Sequence, residues 1–452
     1  MRDLLGNVAT RAARYLEDLD ERSVTPAAEA IAGLAALGGP MPAGPTGPAE
    51  VLALLDRFGS PATVATAGRR YFGFVVGGSL PAALAANWLA GAWDQLAGFV
   101  VSSPVAAAVE EISLRWLLDV LALPADSGGA FVTGGTMANF SALAAARHAV
   151  LQQVGWDVES DGLIGAPPVT VVVGQEAHPS LFKALGLLGL GRRRVLTVPV
   201  DGQGRLRVDA LPALCGPTIV CVQAGNVNTG AFDPIEEVCQ VARQAGAWVH
   251  VDGAFGLWAA VSPQLAHLTT GVGKADSWAT DAHKWLNVPY DSGLAFVRQP
   301  EHLRAAMSTA AAYLPQGAQR EPAQYTPELS RRARGIEVWA ALRSLGRSGL
   351  ADLIERNCLY ARLFAEGLHE SGYEILNDVA LNQVLVAFGD EQVTRRVIAA
   401  VQADGTCWAG VTVWQGRPAM RISVSSWATT EDDICRSLAA IRRVAAEQGA
   451  KP

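Results

Sequence analysis

The chain has 452 residues, half of them apolar and 17% charged, with 36 Lys and Arg against 43 Asp and Glu for a net charge of −7. That length exceeds one ordinary core, so two or three packed units are expected, and the apolar content excludes a disordered chain. The mild acidity carries no basic stripe, which argues against a nucleic-acid partner.

The six cysteines, Cys215, Cys221, Cys239, Cys358, Cys407 and Cys435, lie far apart with no CxxC pair. This suits a reduced, cytoplasmic protein better than a disulfide framework or a zinc site, so no metal is expected. The opening MRDLLGNVATRAARYLEDLDE is an amphipathic helical pattern with acidic residues, unlike the apolar core of a signal peptide. No apolar run reaches the roughly 18 residues of a membrane span.

In chain order, residues 1–37 read as helix, ended by the Gly/Pro-rich stretch GGPMPAGPTGP at 38–48. A short helix (AEVLALLDRF) precedes RRYFGFVVGGSLP, an extended, glycine-punctuated loop. Two helical patterns follow, PAALAANWLAGAWDQL and PVAAAVEEISLRWLLDVLAL, the second with apolar residues near a 3.6 period. From residue 129 short Val-rich runs alternate with helical patterns: GAFVTGG, VTVVVGQEAH, RRVLTVPV, TIVCVQAG, AWVHVDGAF, DSWATDAHKWL and SGLAFVRQP. Strands buried on both faces look like this, and the alternation predicts a largely parallel α/β sheet. After residue 345 come the helix LADLIERNCLYARLFAEGLHES, the strands NQVLVAFG, CWAGVTVW and AMRISVSS, and a last helix. The expected division is a helical segment at 1–72, a large domain at 73–345 and a small α+β domain at 346–452.

Four motifs carry chemistry. GGTMANF (134–140) lies between a strand and a helix, where glycines admit a ligand close to the backbone and a helix N-terminus offers N–H groups to an anion. It reads as a phosphate cradle or as a plain strand-to-helix turn. HVDGAFG (250–256) ends a Val-rich strand with Asp252, placed either to pair with a ring N–H or to cap a helix. DAHKW (281–285) sets Lys284 in apolar surroundings, as an amine nucleophile for a carbonyl or as a snorkelling side chain. EAHPS (176–180) puts His178 just after a strand, to stack on a flat ligand, serve as acid or base, or satisfy a structural role. Together, a phosphate cradle, a ring partner, an aspartate for a ring nitrogen and a Schiff-base lysine are the parts of a pyridoxal 5′-phosphate (PLP) site.

The sequence resembles the group II PLP-dependent amino-acid decarboxylases, relatives of the aromatic-amino-acid and glutamate enzymes. The likeness runs from RRYFGFVVGG through GGTMANF, EAHPS, AFDPIEEV, HVDGAFG, DAHKW and RRARGIEVW to RPAMRISVS. The 32 residues between Asp252 and Lys284 (284 − 252) are specific for PLP enzymes of this type. The resemblance implies the aspartate-aminotransferase-like α/β fold (fold type I), with a mostly parallel seven-stranded sheet, a smaller C-terminal domain and a homodimer. It implies that Lys284 binds the cofactor carbonyl, Asp252 holds the pyridine nitrogen protonated, Ala254 packs under the ring and His178 stacks on its other face. Gly135, Thr136 and His283 are placed by it near the phosphate. Tyr313, 29 residues after Lys284 (313 − 284), falls in a stretch resembling the family's mobile catalytic loop, where a tyrosine protonates Cα. Relatives with phenylalanine there tend to form aldehydes. Arg421 matches an arginine that meets the substrate carboxylate in glutamate decarboxylases.

Three places depart from the pattern. Gly225-Asn226-Val227-Asn228 stands where relatives carry Gly-Thr-Thr, Asp281 replaces a more familiar Asn, and Gly73-Phe74-Val75-Val76 lacks both the bulky aromatics of the aromatic-acid enzymes and the polar groups of the glutamate enzymes. The pocket is expected to be roomy and mostly apolar, with Phe74 toward substrate. The leading reading is decarboxylation of an L-amino acid to the amine. Another PLP reaction at Cα (carbon–carbon lyase, aldehyde synthase, aldol-type condensation) is the alternative, and a silent scaffold a remote one.

Overall fold

The computed structural model describes residues 1–309 and 319–450. Its strands, in chain order, are β1 (Tyr71–Phe72), β2 (Gly128–Val132), β3 (Thr170–Gly174), β4 (Leu196–Val198), β5 (Thr218–Gln223), β6 (Trp248–Asp252), β7 (Ser277–Asp281), β8 (Gly293–Val297), β9 (Glu374–Ile375), β10 (Gln383–Ala387), β11 (Trp408–Trp414) and β12 (Arg417–Ser423). All seven Val-rich runs predicted after residue 129 are strands of one sheet, in the order β2-β8-β7-β6-β5-β3-β4. The sheet is parallel from β7 through β4, and β8 alone runs against its neighbours β2 and β7. The mostly parallel seven-stranded sheet and the separate five-stranded sheet β1-β11-β12-β10-β9 are the α/β architecture expected.

By contacts the chain falls into two compact units. One comprises 77–361 with 377–383; the other comprises 1–76, 362–376 and 384–452. The sequence division set its boundaries at 72/73 and 345/346. The first 76 residues group with the C-terminal segment because β1 pairs in parallel with β11, Tyr71 opposite Trp408.

The large unit's core lies between the sheet and the helix Gly135–Gln152, where Ala138, Leu143, Ala145 and Val150 pack on Val132, Val173, Ile219 and Ala295. Alanine on the helix lets it sit close to the Val-rich strands, and both layers lose water contact.

Residues 1–37 are not one helix. Helices span Arg2–Asp18 and Ala28–Gly33, followed by a 3₁₀ turn, Leu34–Leu37. Between them Val24 N–H donates to Gly405 O and Val24 O accepts from Ala65 N–H, with Leu19 and Val24 buried. Pro26 follows, and the residue before a proline disfavours helix, so the backbone bonds go outward. The helix expected after 345 begins earlier and runs Gly335–Glu370, broken at Gly346 with φ 60° and ψ −174°.

Candidate active site

In an open parallel sheet, ligands meet the carboxyl ends of the strands, because helix N-termini and loop amides converge there. Here β2, β3, β5, β6 and β7 all point their carboxyl ends to one edge, and each is followed by a motif singled out above.

β2 leads into Gly134, with φ 144°, and then into the helix Gly135–Gln152. The N–H groups of Met137 and Ala138 return to Gly134 O, while those of Gly135 and Thr136 precede any intrahelical partner. A Cβ on Gly134 would stand 2.9 Å from His283 Cε1, and one on Gly135 2.8 Å from Asp281 Oδ2. On the far side, a Cβ on Gly293 would stand 2.5 Å from the Gly134 backbone. Glycine is therefore required by close approach at all three positions, and the turn is a cradle of exposed amides.

β7 ends at Asp281, and Lys284 reaches back one turn so that Nζ lies 2.8 Å from Asp281 Oδ2. Asp281 is buried, and its Oδ1 has no hydrogen-bond partner among the described residues. The His283 ring faces it, with Nε2 3.6 Å from Oδ1, and its Nδ1 accepts from Ser292 N–H at 3.0 Å. Burial holds His283 below the usual imidazole range, so it is neutral with its proton on Nε2. The Lys284 backbone is pinned from two sides. Asn287 Nδ2 donates to the Lys284 and Trp285 carbonyls, and a Cβ on Gly77 would stand 2.3 Å from Lys284 O.

β6 runs beside β7 and ends at Asp252. Its Oδ2 accepts from Asn139 Nδ2 at 3.0 Å and its Oδ1 from Ala254 N–H at 3.3 Å. The next helical turn is capped by Phe255, so Asp252 is not a helix cap. Ala254 O accepts from Asp281 N–H at 2.9 Å, which ties the β6 turn to the end of β7. After β3, His178 caps the helix Pro179–Leu187, with Nδ1 accepting from Ser180 N–H and 2.8 Å from Ser180 Oγ. Asn226, after β5, turns its Oδ1 to the amides of Asn228 and Thr229 and its Nδ2 to Glu176 O. The Asn226 side chain thus shapes its own loop.

Hydrogen bonds or close approach link Gly134, Gly135, Asp281, His283 and Lys284 in one group, and Asp252, Ala254 and Asn139 in the group beside it. Phe74 and Arg421 belong to the other unit and are described within it. Phe74 (φ 51°) and Val75 (φ 60°) both hold left-handed backbone, a cost for non-glycine residues that a functional loop can retain. Phe74 is 63% exposed and stacks at 5.5 Å on Trp408, which stacks at 5.0 Å on Tyr71. Arg421 lies on β12 and forms no ion pair among the described residues; its Nε is buried without a partner, and burial lowers its pKa. Tyr313 lies outside the described residues.

Sequence reasoning quoted Gly77, Asn139, His250, Ser277 and Gly293 inside their segments without assigning them a role, and it passed over Asn287. Nothing local marks them, because their partners are distant in the chain.

A glycine-lined amide cradle, an amine and a buried carboxylate ending the strand beside it define a PLP-binding α/β enzyme. Residues 63–389, or 327 of 452 (389 − 63 + 1), match the pyridoxal-dependent decarboxylase conserved domain, and the chain belongs to that family. Among its relatives, an aromatic-L-amino-acid decarboxylase of Drosophila lebanonensis is 31% identical over 342 residues, covering 70% of this chain and 82% of that protein. A phenylacetaldehyde synthase of a Rosa hybrid cultivar is 30% identical over 374 residues, covering 74% and 72%. The crystal structure of an Oryza sativa TDC with PLP and tryptamine superposes with a TM-score of 0.91 at 23% identity, covering 99% of this chain and 97% of that one. The protein is a PLP-dependent amino-acid decarboxylase, and its substrate is a small-molecule amino acid.

Proposed function

We propose that the cradle and the two strand ends beside it hold PLP and that the substrate is an L-amino acid with an apolar or aromatic side chain. The observation that carries the site assignment is the pairing of β6 and β7, which ends Asp252 and Lys284 at one edge of the sheet. The residues fit the cofactor: the Gly135 and Thr136 amides suit its phosphate, the Lys284 amine its carbonyl, and the buried Asp252 carboxylate its ring nitrogen. When bound, PLP supplies an electron sink for the bond that breaks at Cα.

The chain's own groups do the rest. Lys284 would hold the carbonyl of the bound cofactor, and its amine has the Asp281 carboxylate 2.8 Å away as ion-pair partner. The Asp252 carboxylate is itself buried, where a charge counts for more than in solvent. Ala254 and His178 would hold the ring from its two faces, and neutral His283 would offer Nε2–H to the phosphate. The resemblance assigns Arg421 to the substrate carboxylate, and its Nε is buried without a hydrogen-bond partner among the described residues. Phe74 meets the substrate side chain. Tyr313 delivers a proton to Cα after carbon dioxide leaves, and the tyrosine there favours amine over aldehyde.

The protein works as a homodimer in the cytoplasm. Leu5, Ile31, Leu34, Leu37 and Leu54 stand exposed on the N-terminal helices, an apolar surface that suits a second copy of the chain. No helix among the described residues is long and apolar enough to cross a membrane. A panel of amino acids, scored for carbon dioxide together with amine or aldehyde, tests the substrate reading. Amine release from apolar or aromatic amino acids is expected. Turnover confined to acidic or basic ones would overturn the assignment.

A further inference from the structure

Below Asp252 the large unit buries a row of polar side chains that the reaction itself does not touch. Asn139, His250 and Ser277 are each fully shielded from solvent, and Trp248 nearly so. They are joined end to end. Trp248 Nε1 lies 2.8 Å from Ser277 Oγ, Ser277 Oγ 2.9 Å from His250 Nδ1, His250 Nε2 2.9 Å from Asn139 Oδ1, and Asn139 Nδ2 3.0 Å from Asp252 Oδ2.

The direction of every bond follows from what each group can do. An indole nitrogen only donates, so Ser277 Oγ accepts from Trp248. At the other end a carboxylate accepts, so Asn139 turns its N–H₂ to Asp252 and its Oδ1 to His250 Nε2, which must donate. Burial in a dry core keeps the imidazole neutral, its pKa pushed down to about 3, so its one proton is the one on Nε2. Nδ1 is then bare and accepts the Ser277 hydroxyl proton. All four bonds therefore run the same way, ending on the carboxylate. Bonds aligned head to tail polarise one another, and the last donor is stronger than an isolated amide. A donor aimed at a carboxylate favours its ionised form.

We propose that Asn139 and His250 are positioning residues that keep Asp252 ionised and aimed, so that a ring nitrogen held against it stays protonated. The inference rests on Asp252 being the partner of the ring nitrogen, and the test separates the two. PLP labelled with ¹⁵N in the ring is bound to wild type, Asp252→Asn, Asn139→Leu, His250→Leu and His250→Gln, and the nitrogen's chemical shift is followed with pH. Wild type is expected to show a protonated pyridine nitrogen into the alkaline range. Asn139→Leu and His250→Leu should lower the nitrogen's proton affinity at least tenfold. His250→Gln can still donate to Asn139 and accept from Ser277, so it should stay near wild type. Leucine variants that bind PLP and keep the wild-type shift, while Asp252→Asn loses it, would overturn the role of the row. A wild-type shift in Asp252→Asn would overturn the underlying assignment as well. Should a leucine variant not fold, Ser277→Ala takes its place: it frees His250 to adopt the other tautomer, and an unchanged nitrogen there also rejects the proposal.

Discussion

Asp281 ends β7 beside Lys284, and its surroundings carry both a benefit and a cost. Its Oδ2 pairs with Lys284, but its Oδ1 is buried with no hydrogen-bond partner among the described residues and faces the cradle proposed for an anionic phosphate. Two anions in one dry pocket repel, so an uncharged amide of the same shape should relieve the cradle. Asp281→Asn is expected to bind PLP about tenfold more tightly, a gain of about 1.4 kcal/mol. Equilibrium titration of the apo-protein with PLP measures it, and equal or weaker binding would remove the conflict inferred at Oδ1. Lys284→Ala should keep the fold by circular dichroism yet lose the borohydride-reducible link to the cofactor; a mutant that still reduces would show another lysine at work. Tyr313→Phe should still bind PLP and substrate, lose most amine and release aldehyde instead. Unchanged amine output would deprive Tyr313 of its role.

At the scale of elements, the site depends on how close strand ends and turns can come. Gly293, at the start of β8, touches the backbone of Gly134 at the end of β2, where a single methyl has no room. Gly293→Ala must push the cradle turn toward Asp281 and His283, at a cost of about 1–3 kcal/mol typical of overpacking. Thermal melting should register that loss, and PLP affinity should fall with it. A variant as stable as wild type would mean that the turn yields freely. In the helices, the pattern at 1–37 breaks where Val24 joins Gly405 and Ala65 through backbone bonds, and the pattern after 345 extends back to Gly335 across a Gly346 hinge. Both differences arise from partners far along the chain, which a helical period does not register.

For the whole molecule, two buried groups set opposite responses to acid. His250 titrates at about 3 when folded, against the ordinary 6.5 when unfolded. Its folded pKa is depressed for a base, so its contribution is present above pH 6.5 and is lost as pH falls toward 3. The loss is roughly 1.4 kcal/mol per pH unit in that window. Asp233 is raised by burial to about 6, although it accepts the Leu206 and Gln223 amides. It therefore acts in the other sense, with stability gained as pH falls from 6 toward its ordinary 3.8. His283 and His302, also held below the ordinary imidazole range by burial, act in the same sense as His250, and below pH 6 Asp233 offsets part of the loss. His250→Gln should remove the histidine's share, so its melting temperature should decline less between pH 7 and 6 than that of wild type. Parallel curves for the two proteins would mean that His250 is not the group responsible. Deleting the apolar N-terminal helices should yield a monomer in sedimentation with little activity, and a fully active monomer would contradict the dimer.

Much of the fold and the chemistry was legible in the residues themselves, because both depend on short-range rules. Val-rich runs separated by helical periods suit a sheet covered by helices on both faces, and all seven became strands of one mostly parallel sheet, β8 running against its neighbours. Motifs such as GGTMANF, HVDGAFG and DAHKW place their candidate side chains at strand ends within a few residues, so the edge proposed for the ligand could be named from spacing. What tertiary structure alone decided is which groups meet across the sheet. Asn139 reaches Asp252 across 113 residues of sequence and His250 across 111. Gly293 finds Gly134 only once β8 has turned back against β2 and β7. Such contacts arise from strand order and the packing of one helix on the sheet, and no local period encodes either. The charge of Asp252 could be placed from the sequence; the direction of the hydrogen bonds that hold it could not.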